Sequence, residues 1–553
     1  MKCENIVCDD RKRQILFPVR VVKTFGNVTN AEYLLNEKDI QIGFAEKELT
    51  IFENGNDGED AAVLLDFGRE INGSVRILTH SEDGTSNAKV QITCGESATE
   101  ALSEIGLKNA TNDHAVRDME ANLPIFSDMT FSETGFRFVC VRLKDKNVRL
   151  KLKSILAVYI YTDISYKGSF SCSNEIINKI YDTAAYTCHL CMQNYIWDGI
   201  KRDRLVWVGD MHPEMLTIKT VFGNIPIVQK TLSYIRDVTP LPNWMNNFPT
   251  YSLWWLIIVR DWYFYTGDKE FLKENAEYIL GLSKQVMDLV NDDGTDNISM
   301  YFLDWPTNET EAGKQGSRAL LAMALESASQ LLDFCDDTEI SLQCESKLNI
   351  LRNLEWDTDT FKQTLAVIAL AQCCDEKIAA EKILNGGASG FSTFMSYYLL
   401  KVASKKDMIA TLEALEEYYG AMLKLGATSF WEDFNIEWAK NASPIYELPE
   451  DNQSDVHGDN GAYCYVGFRH SLCHGWSSAP TAFLAEEVLG IHVLSAGCSK
   501  VEIKPNLGNL EWAKGEYPTP KGIISVSCVK EPDGSVKTEW TAPDGIEIIY
   551  YQS

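Results

Sequence analysis

The sequence predicts a multidomain α+β protein, with a helical barrel between an N-terminal β-sandwich and a small C-terminal β-sandwich. Its 553 residues exceed the length of one ordinary hydrophobic core, so several domains are expected. Hydrophobic residues make up 45% and aromatic residues 11% of the chain, which is typical of a globular protein. Strand-like runs lie at both ends, and helix-like periodicity lies between them. We therefore predict domains at residues 1–168, 169–488 and 489–553.

The first region contains short runs of β-branched and aromatic residues up to about Asp163. Turns rich in Gly, Asn and Asp separate these runs. The runs are VLLDF, SVRIL, KVQITC, FRFVCVRL and KLKSILAVYIY. This alternation of runs and turns predicts the N-terminal β-sandwich.

A helical period begins near Ser173, which is the candidate N-cap of the first helix. One apolar stripe contains Ile176, Ile177, Ile180, Ala184 and Cys188. Further helices are predicted near residues 271–291, 318–333, 361–374 and 406–425. Several of these segments are apolar over wide faces, as in TLAVIALA, so they pack on two sides. Paired helices that close into a barrel satisfy this requirement, and the lack of a fixed-period repeat argues against an open solenoid.

The last region returns to a β pattern after Leu489. Its runs are VEIKP, GIISVSCV, SVKTEWTA and IEIIYY. These runs predict the small C-terminal β-sandwich.

The charge of the chain excludes some classes of partner. Its formal net charge is -28 and no basic patch interrupts the acidic composition, which argues against nucleic acid or an anionic membrane as partner. The apolar run LWWLIIV at residues 253–259 is too short to cross a bilayer. The N-terminal segment MKCENIVCDDRKRQ lacks the apolar core of a signal peptide, so a cytoplasmic location is expected.

The cysteines are scattered along the chain and number fifteen, which favours free buried thiols over a disulfide framework. Cys188 and Cys191 form a lone CxxC inside a helical pattern, and we interpret them as core residues. The sequence therefore predicts no metal site.

The candidate chemistry lies in loops of the helical region that combine tryptophans with acidic side chains. The first is WDGIKRDRLVWVGDMHPE at residues 197–214, and the others are PNWMNNFPTYSLWW, YFLDWPTNE, SFWEDF and LCHGWSSAP. Sugar rings have apolar faces rimmed by hydroxyls, so their sites combine indoles with carboxylates, amides and guanidinium groups. Cleavage of a glycosidic bond needs one protonated and one ionised carboxyl group. The loops therefore predict a carbohydrate site with a catalytic pair of carboxyls.

The chain resembles glycoside hydrolase family 78, the bacterial and fungal α-L-rhamnosidases, over almost its whole length. The similar segments are LLDFGREINGSVRI, GSFSCSNEIINKIY, GATSFWEDF, CHGWSSAP and KPNLGNLEWAKGEYPTPKGIISV. The resemblance implies an (α/α)6 barrel between β domains. It also implies hydrolysis of α-L-rhamnosides with inversion, without a catalytic metal or other cofactor.

The family motif around the general acid is Asp-x-x-x-Arg-Asp-Glu-Arg-x-x-Trp-x-Gly-Asp, and KRDRLVWVGD departs from it because it has no glutamate. An alignment without gaps is anchored by Arg204, Trp207, Gly209 and Asp210. This alignment places Asp203 at the position of the general acid. Its side chain is one methylene shorter than glutamate, in a reaction that tolerates positional errors of only about 1 Å. An alignment with a gap leaves the acid unassigned, and another carboxylate such as Glu214 then takes the role.

The segment SFWEDF keeps the Trp-Glu pair in which the family places its general base, which assigns Glu432. The resemblance implies that Glu432 is ionised and holds water on the sugar face opposite Asp203. Other polar and aromatic residues of these loops are assigned to substrate binding: Asp198, Arg202, Trp207, Asp210, Asp304, Trp305, Trp431, His474 and Trp476. His474 matches a family histidine that binds the sugar or orients the water.

Two classes of function follow from these assignments. The first is an inverting α-L-rhamnosidase that acts on short glycosides or oligosaccharides. The second is a non-catalytic sugar-binding relative. A protein that has lost hydrolytic activity is also expected to lack the glutamate of the general acid. A hydrolase of another sugar on the same barrel is a further alternative.

Overall fold

The computed structural model describes residues 9–551. The segment MKCENIVCDDRKRQ, which is the basis for expecting a cytoplasmic location, lies mostly outside the described residues, as do residues 552–553. The described chain contains several β-sheets and twelve α-helices, which confirms the mixed α+β class. The domain boundaries near residues 168 and 488 stay predictions.

Nine strands of the N-terminal region hydrogen-bond into one sheet, in which every pair is antiparallel. They are β1 (Lys12–Leu16), β2 (Arg20–Phe25), β3 (Asn27–Thr29), β4 (Thr50–Asn54), β5 (Ala62–Asp83), β6 (Asn87–Gly95), β7 (Asp118–Pro124), β8 (Asp128–Leu143) and β9 (Val148–Tyr161). The order is β3-β4-β9-β5-β8-β6-β7, with β1 paired to β9 and β2 paired to β5. All five predicted strand runs lie in this sheet, and the β-sandwich itself stays a prediction.

The runs VLLDF and SVRIL belong to one strand of 22 residues, β5, and not to two. The register of β5 against β8 shifts between Asp66 and Ile71 and again between Gly73 and Val75. Gly68 has φ of 85°, a conformation that glycine adopts readily. The strand therefore has bulges near Gly68 and Gly73, in the segment that the sequence predicts to be a turn between two strands.

Both faces of the N-terminal sheet are covered. One core joins Leu65 of β5 with Ile200 and Cys473 of the helical region. The opposite core contains Leu64, and Tyr446 packs against it. Because Ile200 and Cys473 lie beside predicted catalytic residues, the sheet directly supports the loops that carry them.

Twelve α-helices follow in the described part of the chain. They are α1 (Glu175–Cys191), α2 (Met211–Val221), α3 (Pro226–Asp237), α4 (Pro249–Thr266), α5 (Lys269–Met287), α6 (Glu311–Phe334), α7 (Thr338–Arg352), α8 (Lys362–Leu370), α9 (Glu376–Leu384), α10 (Ser396–Ala403), α11 (Met408–Lys424) and α12 (Pro480–Phe483). The predicted helices near residues 271–291, 318–333, 361–374 and 406–425 correspond to α5, α6, α8 and α11. The apolar run LWWLIIV lies inside α4, which is buried over most of its length.

The first helix has a different N-cap from the one expected. The Asn174 side chain accepts hydrogen bonds from the backbone N–H groups of Ile176 and Ile177, so Asn174 is the cap. The Ser173 hydroxyl instead accepts a hydrogen bond from the backbone N–H of Glu511 at 2.9 Å. The expectation for Ser173 is therefore wrong, because its side chain is used to join the C-terminal region.

The even-numbered helices contact one another in a closed succession. Helix α2 contacts α4, α4 contacts α6, and the contacts continue through α8, α10 and α12 back to α2. Most odd-numbered helices pack on the even ones, as α7 does on α6 and α9 does on α8. The wide apolar faces of the sequence follow from this two-sided packing.

The remaining strands form small sheets around the helical region. They are β10 (Ser169–Cys172), β11 (Ala442–Ser443), β12 (Ser454–Asp455), β13 (Ile491–Val493), β14 (Lys500–Ile503), β15 (Trp512–Thr519), β16 (Gly522–Lys530), β17 (Val536–Thr541) and β18 (Glu547–Tyr550). One sheet has the order β10-β15-β16-β17 and another has β13-β14-β18, while β11 pairs with β12. The strand before α1 is thus hydrogen-bonded to the C-terminal strands.

Two predictions from composition can be compared with this structure. Within residues 9–551, no helix combines the length and the apolar character needed to cross a membrane. The thirteen cysteines of the same range are free, and Cys188 and Cys191 are buried in α1.

Candidate active site

The candidate site lies where loops enter the N-terminal ends of the even-numbered helices. Asp210 immediately precedes α2, and Tyr251 lies in the first turn of α4. Asp304 lies in the loop before α6, and His474 lies shortly before α12. Because these helices follow one another in a closed succession, the loops before them converge at one end of the helical region.

The loop between α1 and α2 is held by the N-terminal sheet. Asp203 and Arg204 have φ of 56° and 58°, a left-handed conformation that is uncommon outside glycine. The Arg204 guanidinium donates to the backbone carbonyl of Glu133 at 2.7 Å and to its side chain at 2.9 Å. A Cβ at Gly135 would lie 2.8 Å from the Ile200 side chain, so the sheet approaches this loop closely. These contacts stabilise a turn that costs free energy on its own.

One guanidinium joins the two carboxyl groups to which the sequence assigns catalysis. Arg202 Nη1 donates to Asp203 Oδ1 at 3.1 Å, and Nη2 donates to Glu432 Oε1 at 2.5 Å. The Arg202 guanidinium carbon lies 5.0 Å from the centre of the Tyr465 ring. Asp203 and Glu432 therefore lie at the same end of the helical region, although they are far apart in the sequence.

Glu432 is buried, with 2% of its side chain exposed. Its Oε2 atom accepts a hydrogen bond from the backbone N–H of Ser471 at 3.2 Å. Burial opposes ionisation, but the charges of Arg202 and His474 outweigh it and lower the pKa of Glu432 to about 2. Glu432 is therefore a carboxylate at neutral pH.

His474 lies next to Glu432 and extends the row of oppositely charged groups formed by Asp203, Arg202 and Glu432. Its Nδ1 atom lies 3.5 Å from Glu432 Oε1, and its Nε2 atom lies 3.1 Å from Asp210 Oδ2. Burial disfavours the imidazolium form, but Glu432 and Asp210 overcome this effect and raise the pKa of His474. Asp210 also accepts a hydrogen bond from the Tyr251 hydroxyl at 3.0 Å. A Cβ at Gly209 would lie 2.4 Å from the Tyr251 ring, so the segment VGD needs its glycine there.

Asp203 differs from Glu432 because 17% of its side chain is exposed. Besides the contact with Arg202, its Oδ2 atom accepts a hydrogen bond from the Trp207 indole N–H at 3.1 Å. Its Oδ1 atom lies 3.5 Å from Nε2 of His114, a residue of the N-terminal region. Asp203 thus contacts residues of both the helical region and the N-terminal region.

Two neighbouring carboxyl groups favour the protonated form. Burial raises the pKa of Asp198 and of Glu214 well above the ordinary values. Asp198 Oδ1 accepts a hydrogen bond from the backbone N–H of Leu205 at 2.9 Å. Glu214 Oε1 has no hydrogen-bond partner among the described residues, and a Cβ at Gly475 would lie only 1.7 Å from it. Glu214, the alternative acid, is thus packed against the backbone of Gly475.

Two of the predicted tryptophans are half-buried. The Trp207 ring packs edge-on against Tyr251 at 5.8 Å between centroids. The Trp305 indole N–H donates to the Tyr465 hydroxyl at 2.6 Å, and its ring stacks on Tyr463 at 5.8 Å. Trp207 and Trp305 therefore offer the partly open aromatic surface of the site.

The other two predicted tryptophans are buried beside Glu432. The Trp476 indole N–H donates to the Glu432 backbone carbonyl at 2.9 Å. Trp431 packs edge-on against Phe434 at 5.4 Å, and its indole nitrogen has no hydrogen-bond partner in residues 9–551. In this arrangement, Trp431 and Trp476 support the backbone that carries Glu432.

Asp304 is a buried carboxyl group whose pKa is raised. One carboxylate oxygen accepts a hydrogen bond from the backbone N–H of Trp305 at 2.8 Å, and the other accepts one from the Ser392 hydroxyl. Burial raises the pKa of Asp304 to about 7, against the effect of these hydrogen bonds. Asp304 therefore exchanges a proton close to neutral pH.

Some residues of this site are missing from the sequence prediction. Tyr251 lies inside the aromatic loop PNWMNNFPTYSLWW, which the sequence already indicates as part of the site. Ser392 lies in a loop without acidic residues, whereas Tyr465 lies in the segment GDNGAYCYVGF, whose aromatic residues are a signal that the prediction missed. His114 lies in a polar segment of the N-terminal region, which the sequence treats as separate from the catalytic loops.

A second buried cluster lies next to the site. Glu96, Glu100 and His457 are close enough to one another to hold a metal ion. However, the Lys201 ammonium group lies 2.9 Å from Glu96 and 3.2 Å from Glu100, and it supplies the positive charge between them. Glu96 also accepts a hydrogen bond from the backbone N–H of Leu472 at 2.6 Å. The cluster thus anchors two loops of the candidate site, those of Lys201 and Leu472, to the N-terminal region.

A comparison with protein families adds to this geometry. Residues 165–332 match the model of the bacterial alpha-L-rhamnosidase 6 hairpin glycosidase domain. The chain carries a domain of the bacterial α-L-rhamnosidase family. The resemblance to glycoside hydrolase family 78 is thereby confirmed.

The chain also resembles a curated relative. It is 24% identical over 465 residues to an alpha-L-rhamnosidase of Alteromonas sp. (strain LOR), and the match covers 73% of the chain and 47% of the relative. The chain therefore spans about half the length of that protein.

Solved rhamnosidase structures share the fold of the chain. The family 78 rhamnosidase of Bacillus sp. GL1 has a TM-score of 0.76 and 22% identity, and the match covers 94% of this chain and 55% of that one. A Klebsiella oxytoca rhamnosidase with rhamnose bound has a TM-score of 0.63 and 17% identity, with coverage of 86% and 96%.

Proposed function

We propose that the chain is an inverting α-L-rhamnosidase in which Asp203 is the general acid and Glu432 is the general base. The observation that carries this proposal is the Arg202 guanidinium that joins both carboxyls, in a chain with a rhamnosidase domain. Inverting glycosidases hold their two carboxyls roughly 6.5–9.5 Å apart, so that water fits beside the sugar. Two carboxyls on opposite nitrogens of one guanidinium are compatible with that spacing.

Glu432 activates water in this proposal. It is ionised, and its Oε2 atom accepts only the 3.2 Å hydrogen bond from Ser471 among the described residues, which leaves it able to accept a proton from water. A carboxylate with so low a pKa is a weak base. We therefore expect Arg202 to move toward a sugar hydroxyl when substrate binds, which raises the basicity of Glu432.

Asp203 donates the proton to the departing oxygen. A general acid must reach the glycosidic oxygen of a substrate that enters from solvent. Asp203 is partly exposed, whereas Asp198 and Glu214 are buried, and Glu214 is packed against backbone. Accessibility therefore favours Asp203 over the alternative acids, despite its shorter side chain.

The remaining residues hold a carbohydrate that ends in rhamnose. Asp210, Asp304 and Arg202 offer hydrogen bonds to sugar hydroxyls, and Trp207 and Trp305 form the apolar side that receives the 6-methyl group. Asp198 is a further candidate for a sugar hydroxyl, and His474 orients Asp210 and Glu432, which it contacts. Trp431 and Trp476 support the backbone of Glu432.

The architecture that we propose for this site is an (α/α)6 barrel. The closed succession of six even-numbered helices supports it, because such a ring gathers the preceding loops at one end. The flanking N-terminal and C-terminal sheets correspond to the proposed β-sandwich domains.

A non-catalytic sugar-binding protein is the second candidate. The segment KRDRLVWVGD favours it, because it has no glutamate where the family places its general acid. A hydrolase acting on a different sugar would use the same pair of carboxyls.

A panel of nitrophenyl glycosides separates these functions. The proposal predicts hydrolysis of the α-L-rhamnoside, with β-L-rhamnose as the first anomer in a time-resolved NMR spectrum. First release of α-L-rhamnose would contradict inversion, and hydrolysis of another glycoside alone would reassign the substrate. Saturable binding of rhamnose without hydrolysis of any glycoside would establish the second candidate.

A further inference from the structure

His114 reaches the proposed acid from outside the helical region. It lies in the loop before β7, and its Nε2 atom is 3.5 Å from Asp203 Oδ1. The Asn112 side chain holds this loop, since it accepts hydrogen bonds from the backbone N–H groups of Arg117 and Asp118 at 3.0 and 3.1 Å. The position of His114 is therefore fixed by the N-terminal region.

The proposed acid needs a route for protons. In each turnover Asp203 gives a proton to the departing oxygen and is left as a carboxylate, and a new proton must reach it before the next cycle. Arg202 and Trp207 both donate hydrogen bonds to this carboxylate, but neither a guanidinium nor an indole N–H gives up its proton near neutral pH. Reprotonation of Asp203 is therefore the step at which help from a neighbour has the largest effect.

We propose that His114 delivers this proton to Asp203, a role that rests on the proposed function. The imidazolium Nε2–H bond breaks, the proton forms a bond to Asp203 Oδ1, and His114 is left as neutral imidazole. Water or buffer then returns a proton to the imidazole. Proton and charge are conserved at each step, and no further reactant is needed.

The surroundings of His114 suit this role. Its side chain is 39% exposed, so it exchanges protons with solvent, and the other histidines of the chain are buried or half-buried. The charged groups that face it are Asp203, the adjacent Asp113 and, beyond Asp203, Arg202. Asp113 is paired with Arg469 at 3.2 Å, and Asp203 is the carboxylate whose oxygen lies 3.5 Å from His114 Nε2.

The backbone of His114 guides the choice of variant. Its φ is 66°, a left-handed conformation in which asparagine is also well tolerated. In His114→Asn the backbone is kept but the side chain is too short to reach Asp203. In His114→Gln a donor remains near the position of Nε2 but cannot pass a proton on. Val116→Ala is the matched control, since it changes an exposed residue of the same loop.

The test compares two leaving groups. We expect His114→Asn and His114→Gln to lower kcat on methyl α-L-rhamnoside by about 10²-fold, since the methoxide needs a proton to leave. Nitrophenyl α-L-rhamnoside needs no such proton, so its hydrolysis should fall less than about 3-fold, and Val116→Ala should match the wild type on both. Added imidazole should restore most of the lost rate on the methyl rhamnoside.

Several results would overturn the inference. Equal losses on both substrates without rescue by imidazole would assign His114 to substrate binding or folding. Unchanged kcat in both variants would remove it from the reaction. A wild type that cleaves neither rhamnoside would overturn the proposed function and this inference together, so the two failures are distinguishable.

Discussion

The two ends of the helical region both bury charged side chains, but they balance charge in opposite ways. The far end has a cavity of about 320 Å³ whose lining includes Lys219, Arg260, Lys401, Asp261 and Glu486. The site end gathers Asp198, Asp203, Asp210, Glu214 and Glu432 around Arg202 and His474. The same helices connect the two ends, because α4 has Tyr251 at the site and Arg260 about 13 Å further along its axis.

Cations outnumber carboxylates at the far end, so each carboxylate there is ionised. Glu486 lies 3.0 Å from the Lys219 ammonium and 2.8 Å from that of Lys401, and it accepts a hydrogen bond from the Tyr397 hydroxyl at 2.6 Å. Burial opposes the charge of Glu486, but the two lysines lower its pKa well below the ordinary value.

Carboxyl groups outnumber cations at the site, so they cannot all be ionised. Arg202 and His474 keep Glu432 charged, while burial and neighbouring carboxylates raise the pKa of Glu214 and Asp198. The comparison teaches that an excess of cations keeps the carboxyls of a structural cluster ionised, whereas an excess of carboxyls leaves some of them protonated beside the ionised Glu432.

The largest expected effect contrasts one carboxylate from each end. Glu432→Gln should lower kcat by about 10²–10⁴-fold on every rhamnoside, because it removes the base that activates water without changing the size of the side chain. Glu486→Gln should leave kcat within about 3-fold of the wild type. Steady-state kinetics on nitrophenyl rhamnoside measure both. Near-normal turnover by Glu432→Gln would reassign the base.

Glu486→Gln should lower the free energy of unfolding more than a change at an exposed ion pair does. Glu486→Gln leaves the Lys219 and Lys401 ammonium groups without their carboxylate, and removing one partner of a buried ion pair costs about 3–5 kcal/mol. Urea unfolding measures this loss, with Glu381→Gln as the control, because the Lys406–Glu381 pair is exposed. Equal stability of the two variants would show that the far end is not a structural cluster.

A smaller effect is expected from the titration of Asp304. Its folded pKa of about 7 lies above the unfolded value, so the stability it contributes is full below about pH 4 and is lost as the pH rises to 7. Asp304→Asn keeps the size of the side chain and cannot ionise. The difference in free energy of unfolding between wild type and variant should therefore change by a few kcal/mol at most between pH 4 and pH 8. A constant difference over that range would contradict the raised pKa.

The sequence predicts the helices and strands of this protein better than their ends and the contacts between them. The strand runs, the helical stripe of α1 and the wide apolar faces all follow from periodicity, which is local. The continuity of β5 through Gly68 and the cap at Asn174 depend on tertiary partners, and periodicity does not report them. The pairing of β10 with the C-terminal strands is likewise set by contacts distant in sequence.

The site also has residues that the sequence indicates and residues that only tertiary contacts bring into place. Motif matching and aromatic density indicate Glu432, Asp210 and His474, which the structure places in one line of contacts. The motif SFWEDF does not report how its side chains pack, and the structure buries Trp431 against Phe434. His114 has no motif or period, and only the approach of the N-terminal sheet places it beside Asp203.

The most direct test of the account is the dependence of Asp203→Asn on the leaving group. Activated aryl rhamnosides leave without protonation, whereas an unprotonated alkoxide meets a barrier several kcal/mol higher, with ~1.4 kcal/mol for each factor of ten in rate. The account predicts a loss of at least about 10²-fold on methyl rhamnoside and less than about 10-fold on dinitrophenyl rhamnoside. Asp210→Asn, which removes a sugar contact, should lower both rates alike. Equal losses on the two substrates in Asp203→Asn would contradict the account and direct the search for the acid to Glu214.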